Sequence, residues 1–256
     1  MFDPIYGNRF RDICDFNFLQ PNIVKDKEKY VIYSKADHRA KALEYIKTNK
    51  KYKFVLVTHN SDIAINQKEL PSNLIHWYAQ NLDCDNPKIS PIPIGLENPH
   101  WHPTKMRTMR SMLKDATYKR SDAAFAQFNP GTNLPVREGL ILEIHENNIQ
   151  CDWTQSINGA NFQEYTQKLL TYKYCFAPRG NGIDTHRLWE ALYMGCIPVV
   201  KKHRTHEFEN CDLPILFLDQ WEHFKVFKEP KSLNFNSKML TMDYWTKKIR
   251  GSLDRD

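Results

Sequence analysis

Residues 175–200 read CFAPRGNGIDTHRLWEALYMGCIPVV. They set Arg179, Asp184, His186, Arg187 and Glu190 between two apolar runs. The chain has nine glycines and places three of them, Gly180, Gly182 and Gly195, in this one stretch. A glycine turn that opens a helix is an anion site, because the free backbone N–H groups and the helix dipole both favour negative charge. Gly180 and Gly182 allow the backbone to approach a phosphate closely. Arg179 and Arg187 add charge-assisted, often bidentate, hydrogen bonds. Asp184 is a good N-cap residue for a helix that ends near Gly195. At ~100° per residue this helix turns His186, Arg187 and Glu190 to one face and Leu188 and Leu192 to the other. Glu190, one turn in, is suited to accept hydrogen bonds from the vicinal hydroxyls of a ribose. The set fits a nucleoside diphosphate carrying a sugar. Residue types alone leave a plainer reading open: a solvated helix with an Arg187–Glu190 pair, and glycines that only turn the chain.

A loop of this kind must be carried by a strand before it and a helix after it, and both halves of the chain alternate such elements. Apolar runs at 30–34, 53–62, 73–81 and 89–95 read as strands or short apolar segments, with a helix at 37–48. The second half restarts with a strand at 123–128, then a helix from Pro135 to about Glu146. A strand at 149–153, a helix at 161–172 and a strand at 174–178 lead into the glycine loop. Strands at 196–200 and 214–218 follow it, and helices at 219–227 and about 238–250 close the chain. Residues 98–120 show no strand pattern and read as a linker. This alternation predicts an α/β protein of mainly parallel sheets covered by helices, most simply as two facing Rossmann-like halves.

Composition narrows the classes. The six cysteines form no C-x-x-C pair and read as free thiols of a reducing compartment, which points to the cytoplasm. The net charge of +6 is interspersed along the chain, without the clustered basic patch of a nucleic-acid surface. It suits a weakly positive cleft for an acidic small molecule. No apolar run approaches the ~20 residues of a membrane span, so no integral membrane segment is expected. Neither a Ser-His-Asp set nor a P-loop is present.

The stretch APRGNGIDTHRLWEALYMGCIPVV resembles the signature of the exostosin-like glycosyltransferases of family 47 type, a PRG loop followed by an R-x-x-E helix and GCIPVV. VREGL (136–140) resembles the arginine segment of the same family, at Arg137, and WYAQNL and IPIGLEN are similar to patterns in its small members. The resemblance implies a GT-B fold, with an acceptor-side domain at 1–110 and a donor domain at 111–256 whose final helix packs back on the first. It implies a sugar-nucleotide donor, UDP-linked in the family's manner, held by Arg137, Arg179, Gly180, Asp184, His186, Arg187 and Glu190, with a glycan as acceptor and no cofactor. It also implies inverting, metal-independent transfer. Retaining GT-B enzymes commonly carry two glutamates eight positions apart, whereas the positions eight before and after Glu190 are Gly182 and Pro198. The chain is short for the family and lacks its membrane anchor, which points to a viral or bacterial member. Xylose is the sugar guessed. The alternatives are a fucosyltransferase-like GT-B enzyme with a GDP-sugar and a non-catalytic nucleotide- or carbohydrate-binding module.

An inverting transfer needs a base on the facing domain, to take the proton from the acceptor hydroxyl. HNSD (59–62) follows a buried strand, so Asp62 is the first choice, with Glu97 placed alike one segment later and His59 orienting or replacing the base. An Asx-turn and helix cap is the plainer role for Asp62. Asp15 is a weaker choice of base. Asp83-Cys84-Asp85 matches a D-x-D metal motif, as does Asp254-Arg255-Asp256, but matches this short arise by chance and no metal is expected. His100 and His102 lack a third ligand at zinc spacing. Trp77, Tyr78 and Trp101 are candidate sugar-stacking platforms, against the commoner use of such residues in a core.

Overall fold

The computed structural model describes residues 3–24, 27–114, 119–146, 148–156, 162–208, 213–224 and 237–254. Among these residues ten strands form two five-stranded sheets, and every strand pairing within them is parallel. The N-terminal sheet runs in chain order through β1 (Phe16–Asn17), β2 (Lys29–Lys35), β3 (Lys53–His59), β4 (Leu74–Ala79) and β5 (Ile89–Pro91). The C-terminal sheet comprises β6 (Ser121–Phe128), β7 (Asp152–Gln155), β8 (Tyr172–Phe176), β9 (Ile197–Lys201) and β10 (Leu216–Leu218), in the order β10-β9-β8-β6-β7. This is the expected α/β architecture, two Rossmann-type sheets of GT-B-like arrangement. Parallel strands covered on both faces read as continuous apolar runs; β3 is such a run, buried from Phe54 to His59.

The helices are α1 (Gly7–Asp12), α2 (Arg39–Thr48), α3 (Lys105–Lys114), α4 (Leu134–His145), α5 (Phe162–Thr171), α6 (His186–Tyr193) and α7 (Met242–Gly251). One apolar cluster joins the halves, running from Val31, Val55 and Tyr78 through Leu188 and Trp189 to Trp245. Helix α7 and the turn after it lie against the N-terminal sheet. There Tyr78 Oη and Ser252 Oγ are 2.6 Å apart, and Lys29 Nζ donates to the Leu253 carbonyl at 2.8 Å.

Four expectations differ from the structure. Residues 98–120 include helix α3, which packs on α5, so a boundary at 110 falls inside a helix. Strand β7 begins at Asp152, not at 149, because its register is set by pairing with Phe125–Phe128. Of the expected helix at 219–227, Trp221–His223 form a single 3₁₀ turn and residues 225–227 lie outside the described residues. The N-cap of α6 is Thr185, since the Asp184 carboxylate is engaged elsewhere.

Candidate active site

Strand β8 delivers the chain to Pro178, and residues 179–185 then cross to α6. Arg137, on the first turn of α4, supports this loop from beneath. Its Nε donates to the Arg179 carbonyl at 3.0 Å, and Asn133 Nδ2 donates to the Gly180 carbonyl at 2.7 Å. A Cβ on Gly180 would stand 3.2 Å from the Arg137 guanidinium, so this glycine is where backbone and cation pack together. Arg137 is buried, and burial first, then the neighbouring Arg187 charge, pull its pKa down to about 10. The Nε atoms of Arg179 and Arg187 are buried without a hydrogen-bond partner. Three guanidinium groups thus gather around one loop, two of them with an unused donor. An anion is the group that satisfies them.

The same loop is fastened to the N-terminal half. Asn81 sits in the left-handed region (φ 57°), which asparagine tolerates, and its Oδ1 accepts from the Ile183 and Asp184 N–H groups at 3.0 and 2.9 Å. The Asp184 carboxylate accepts from the Ile94 N–H at 2.8 Å, from the Thr185 N–H and from Trp189 Nε1. With its side chain fully buried and these donors around it, Asp184 clasps the two halves together and does not face an open cavity. A Cβ on Gly182 would lie 2.9 Å from Asn81 Nδ2 and 3.2 Å from Asp62 Oδ1. Only a residue without a side chain brings the loop this close to the strand-end carboxylate.

Helix α6 is buried on most sides, rather than presenting a polar face to solvent. Glu190 is 5% exposed and faces Lys105 of α3, whose Nζ lies 3.4 Å from Glu190 Oε1 and 2.6 Å from Glu97 Oε2. Burial opposes the Glu190 charge, but Lys105, Arg187 and His186 outweigh it and hold the carboxyl below its ordinary range. The two carboxylates likewise raise the Lys105 pKa against burial. Glu97, also 3.5 Å from His102, is therefore a member of an ion network and not an isolated base. Lys105 had no signal in the sequence beyond its type, and Asn81 had none beyond its place in WYAQNL at the end of an apolar run.

A cleft of about 450 Å³ opens where the N-terminal strands end, lined among others by Arg11, Asn60, Asp62, Glu97, Trp101 and His186. Asp62 is exposed in it. His186, expected with the donor, lines this cleft instead, and its Nδ1 is 2.7 Å from the Gly95 carbonyl, which fixes the proton on Nδ1. His59 is fully enclosed. Its Nε2 donates to the Pro93 carbonyl at 3.0 Å and its Nδ1 accepts from the Asn60 N–H at 2.7 Å, leaving neither nitrogen for a substrate. Burial depresses its pKa to about 4, so the ring is neutral. On the other side of the arginine loop a second cavity of about 520 Å³ is lined by Arg179, Ile183, Lys201, Lys202, His206 and Trp221.

The remaining candidates lie apart. Asp15 is held by Lys27 (2.6 Å), Arg250 (3.2 Å) and the Val31 N–H (2.8 Å). Asp83 and Asp85 face His203 (3.3 Å) and Arg204 (3.7 Å) of the C-terminal half. Arg255 and Asp256 are outside the described residues. Trp77 and Tyr78 are buried in the core, whereas Trp101 is 68% exposed. Among the described residues no group of three or more His, Cys, Asp or Glu side chains is placed to hold a metal ion, and no helix is long and apolar enough to cross a membrane.

The exostosin GT47 domain matches residues 54–242, from β3 to the first residue of α7. Over 70 residues the chain is 31% identical to a protein of Arabidopsis thaliana named Probable glycosyltransferase At3g07620. That match takes in 27% of this chain and spans 14% of the plant protein's length.

Proposed function

The chain belongs to the exostosin GT47 family of glycosyltransferases, and on that premise we propose that it moves a sugar from a UDP-linked donor to a glycan hydroxyl, with inversion and without a metal ion. The observation that carries this reading is the glycine loop: two buried guanidinium Nε–H groups lack partners on it, and its Gly182 lies against Asp62. The donor diphosphate occupies the arginine side of the loop. Arg179 and Arg187 bind its oxygens and stabilise the charge that accumulates as the bond from the anomeric carbon breaks. Arg137 holds the loop in place from beneath. The acceptor lies in the 450 Å³ cleft. Its hydroxyl gives its proton to the Asp62 carboxylate as its oxygen bonds to the anomeric carbon, and the nucleoside diphosphate leaves with the electron pair. His186 offers a second reading of the base. Its Nδ1–H bond to Gly95 leaves Nε2 as the acceptor nitrogen of a ring that lines the same cleft.

Calorimetry with UDP and GDP tests the donor side. Arg179→Ala and Arg187→Ala each remove charged hydrogen bonds and are expected to weaken nucleotide binding by about 1.5–3 kcal/mol. Unchanged affinity in both variants overturns the assignment. A panel of nucleotide sugars, xylose first, then identifies the donor by hydrolysis, and NMR of the product reads the anomeric outcome. Asp62→Asn is expected to lower kcat by about 10²-fold or more at unchanged UDP affinity. Normal turnover in Asp62→Asn together with loss in His186→Gln moves the base to His186.

A further inference from the structure

Of the six tryptophans, Trp77, Trp189 and Trp245 are fully buried, Trp221 nearly so, and Trp153 packs on Phe128 with ring centroids 4.5 Å apart. Trp101 alone is left in water, 68% exposed, and it does so on the lining of the 450 Å³ cleft. We propose that Trp101 is the stacking platform for a pyranose ring of the glycan that occupies this cleft.

The loop that carries Trp101 is built to hold it there. Three asparagines from three segments join beneath it. Asn98 Oδ1 accepts from the Asn8 N–H at 2.8 Å, Asn98 Nδ2 donates to Asn60 Oδ1 at 2.9 Å, and Asn60 Nδ2 donates to Asn8 Oδ1 at 3.3 Å and to Tyr33 Oη at 2.9 Å. The Trp101 N–H is tied to the Asn98 carbonyl at 3.0 Å, and the His102 carbonyl accepts from the Lys105 N–H at the start of α3. His100 packs beside the indole with ring centroids 5.2 Å apart, and its Nδ1 is 3.3 Å from Asn8 Nδ2. The loop is therefore fixed on both sides of an indole that, among the described residues, has only His100 beside it and stays mostly exposed.

The chemistry of the surroundings selects the occupant. An apolar partner would meet a cleft lined by Asn8, Asn60, Asn98, Arg11 and Lys35, whose polar groups would then be desolvated. A pyranose has both properties at once. One face of C–H groups lies on the electron-rich face of the indole, and its rim of hydroxyls bonds to amides and cations. A nucleobase would also stack, but the buried guanidinium Nε–H groups without a partner, suited to its phosphates, belong to Arg179 and Arg187 at the glycine loop. This inference rests on the transferase reading only in naming the bound glycan as the acceptor.

A glycan array probed with the labelled full chain, followed by calorimetry on the glycans that bind, tests the proposal with Trp101→Ala and Trp101→Phe. UDP and GDP are titrated into the same preparations. Trp101→Ala is expected to weaken glycan binding by about 10-fold or more, while Trp101→Phe keeps most of the affinity and both variants bind nucleotide as the parent does. Absence of any glycan binding by the parent overturns the proposal, as does full affinity in Trp101→Ala or an equal loss in the two variants. Trp101-dependent glycan binding without any nucleotide affinity sinks the transferase reading and leaves the platform standing; nucleotide binding with Trp101-independent glycan binding does the reverse.

Discussion

Lys105→Met is the perturbation that most directly tests how the two halves are wired. Lys105 is the cation between Glu97 and Glu190, and their side chains are 22%, 23% and 6% exposed. Removing one member of a buried ion pair leaves an uncompensated charge, at a cost of about 3–5 kcal/mol. Arg187 and His186 still act on Glu190, and Lys105 and Glu97 are partly wet, so the expected loss is about 2–3 kcal/mol near pH 7.5. The effect has a defined pH dependence. In the parent the Glu190 carboxyl sits below its ordinary range, so it stabilises the fold above the unfolded carboxyl pKa of about 4.3, and that contribution disappears as pH falls through the lower folded value. With Lys105, the strongest of the opposing charges, removed in Lys105→Met, burial weighs more and the carboxyl is expected to titrate above the unfolded value. Its destabilising charge is then neutralised as pH falls, and the gap between parent and variant narrows between about pH 7.5 and pH 5. Urea unfolding followed by tryptophan fluorescence measures this at both pH values, and Glu190→Gln with the double variant completes a cycle. A penalty that is the same at both pH values, or a Lys105–Glu190 coupling below about 0.5 kcal/mol, would refute the reasoning.

Two further outcomes follow from the loop. Gly182→Ala places a Cβ 2.9 Å from Asn81 Nδ2, an amide held by its own bonds to the loop, and 3.2 Å from Asp62; it is expected to cost about 1–3 kcal/mol in urea unfolding and to lower turnover by displacing Asp62. Asp184→Asn turns one acceptor oxygen into a donor that faces the N–H of Ile94 or Thr185 and the Trp189 indole, so a loss of about 2–4 kcal/mol is expected, and an unfolding midpoint within error of the parent contradicts the clasp.

Much of the fold is legible in the sequence because its parallel strands are covered on both faces and so read as apolar runs. The segment from β8 through α6 to β9 is the clearest case. Its helix stops at Met194, with Gly195 at φ 72° supplying the left-handed turn that the glycine announces. Strand β7 is the opposite case. Its residues are half-buried or exposed, so hydrophobicity does not fix its register and the pairing with β6 does. Helix α3 hides for a related reason. Met106, Met109, Met112 and Leu113 recur at helical spacing and face the core, but they are separated by Arg, Thr and Ser and follow two prolines, which reads as a linker.

The candidate site divides along the same line. Arg137, Arg179, Arg187 and the two loop glycines are readable from type and spacing, because each acts on its own segment or on the loop beside it. What is not readable is how the other half uses them. Asp184 looks like a cap by every local rule, yet the Ile94 N–H draws its carboxylate across the interface, and Thr185 becomes the cap by default. Glu190 looks like a ribose ligand until α3 brings Lys105 against it. His186 looks like part of the donor loop, but the Gly95 carbonyl turns it into the facing cleft. In all three the side chain is polar, lies within or just before the first turns of α6, and is reassigned by a partner some eighty to ninety positions away. A local motif thus marks a candidate site, and the residues that enclose it decide which side of the loop each group faces.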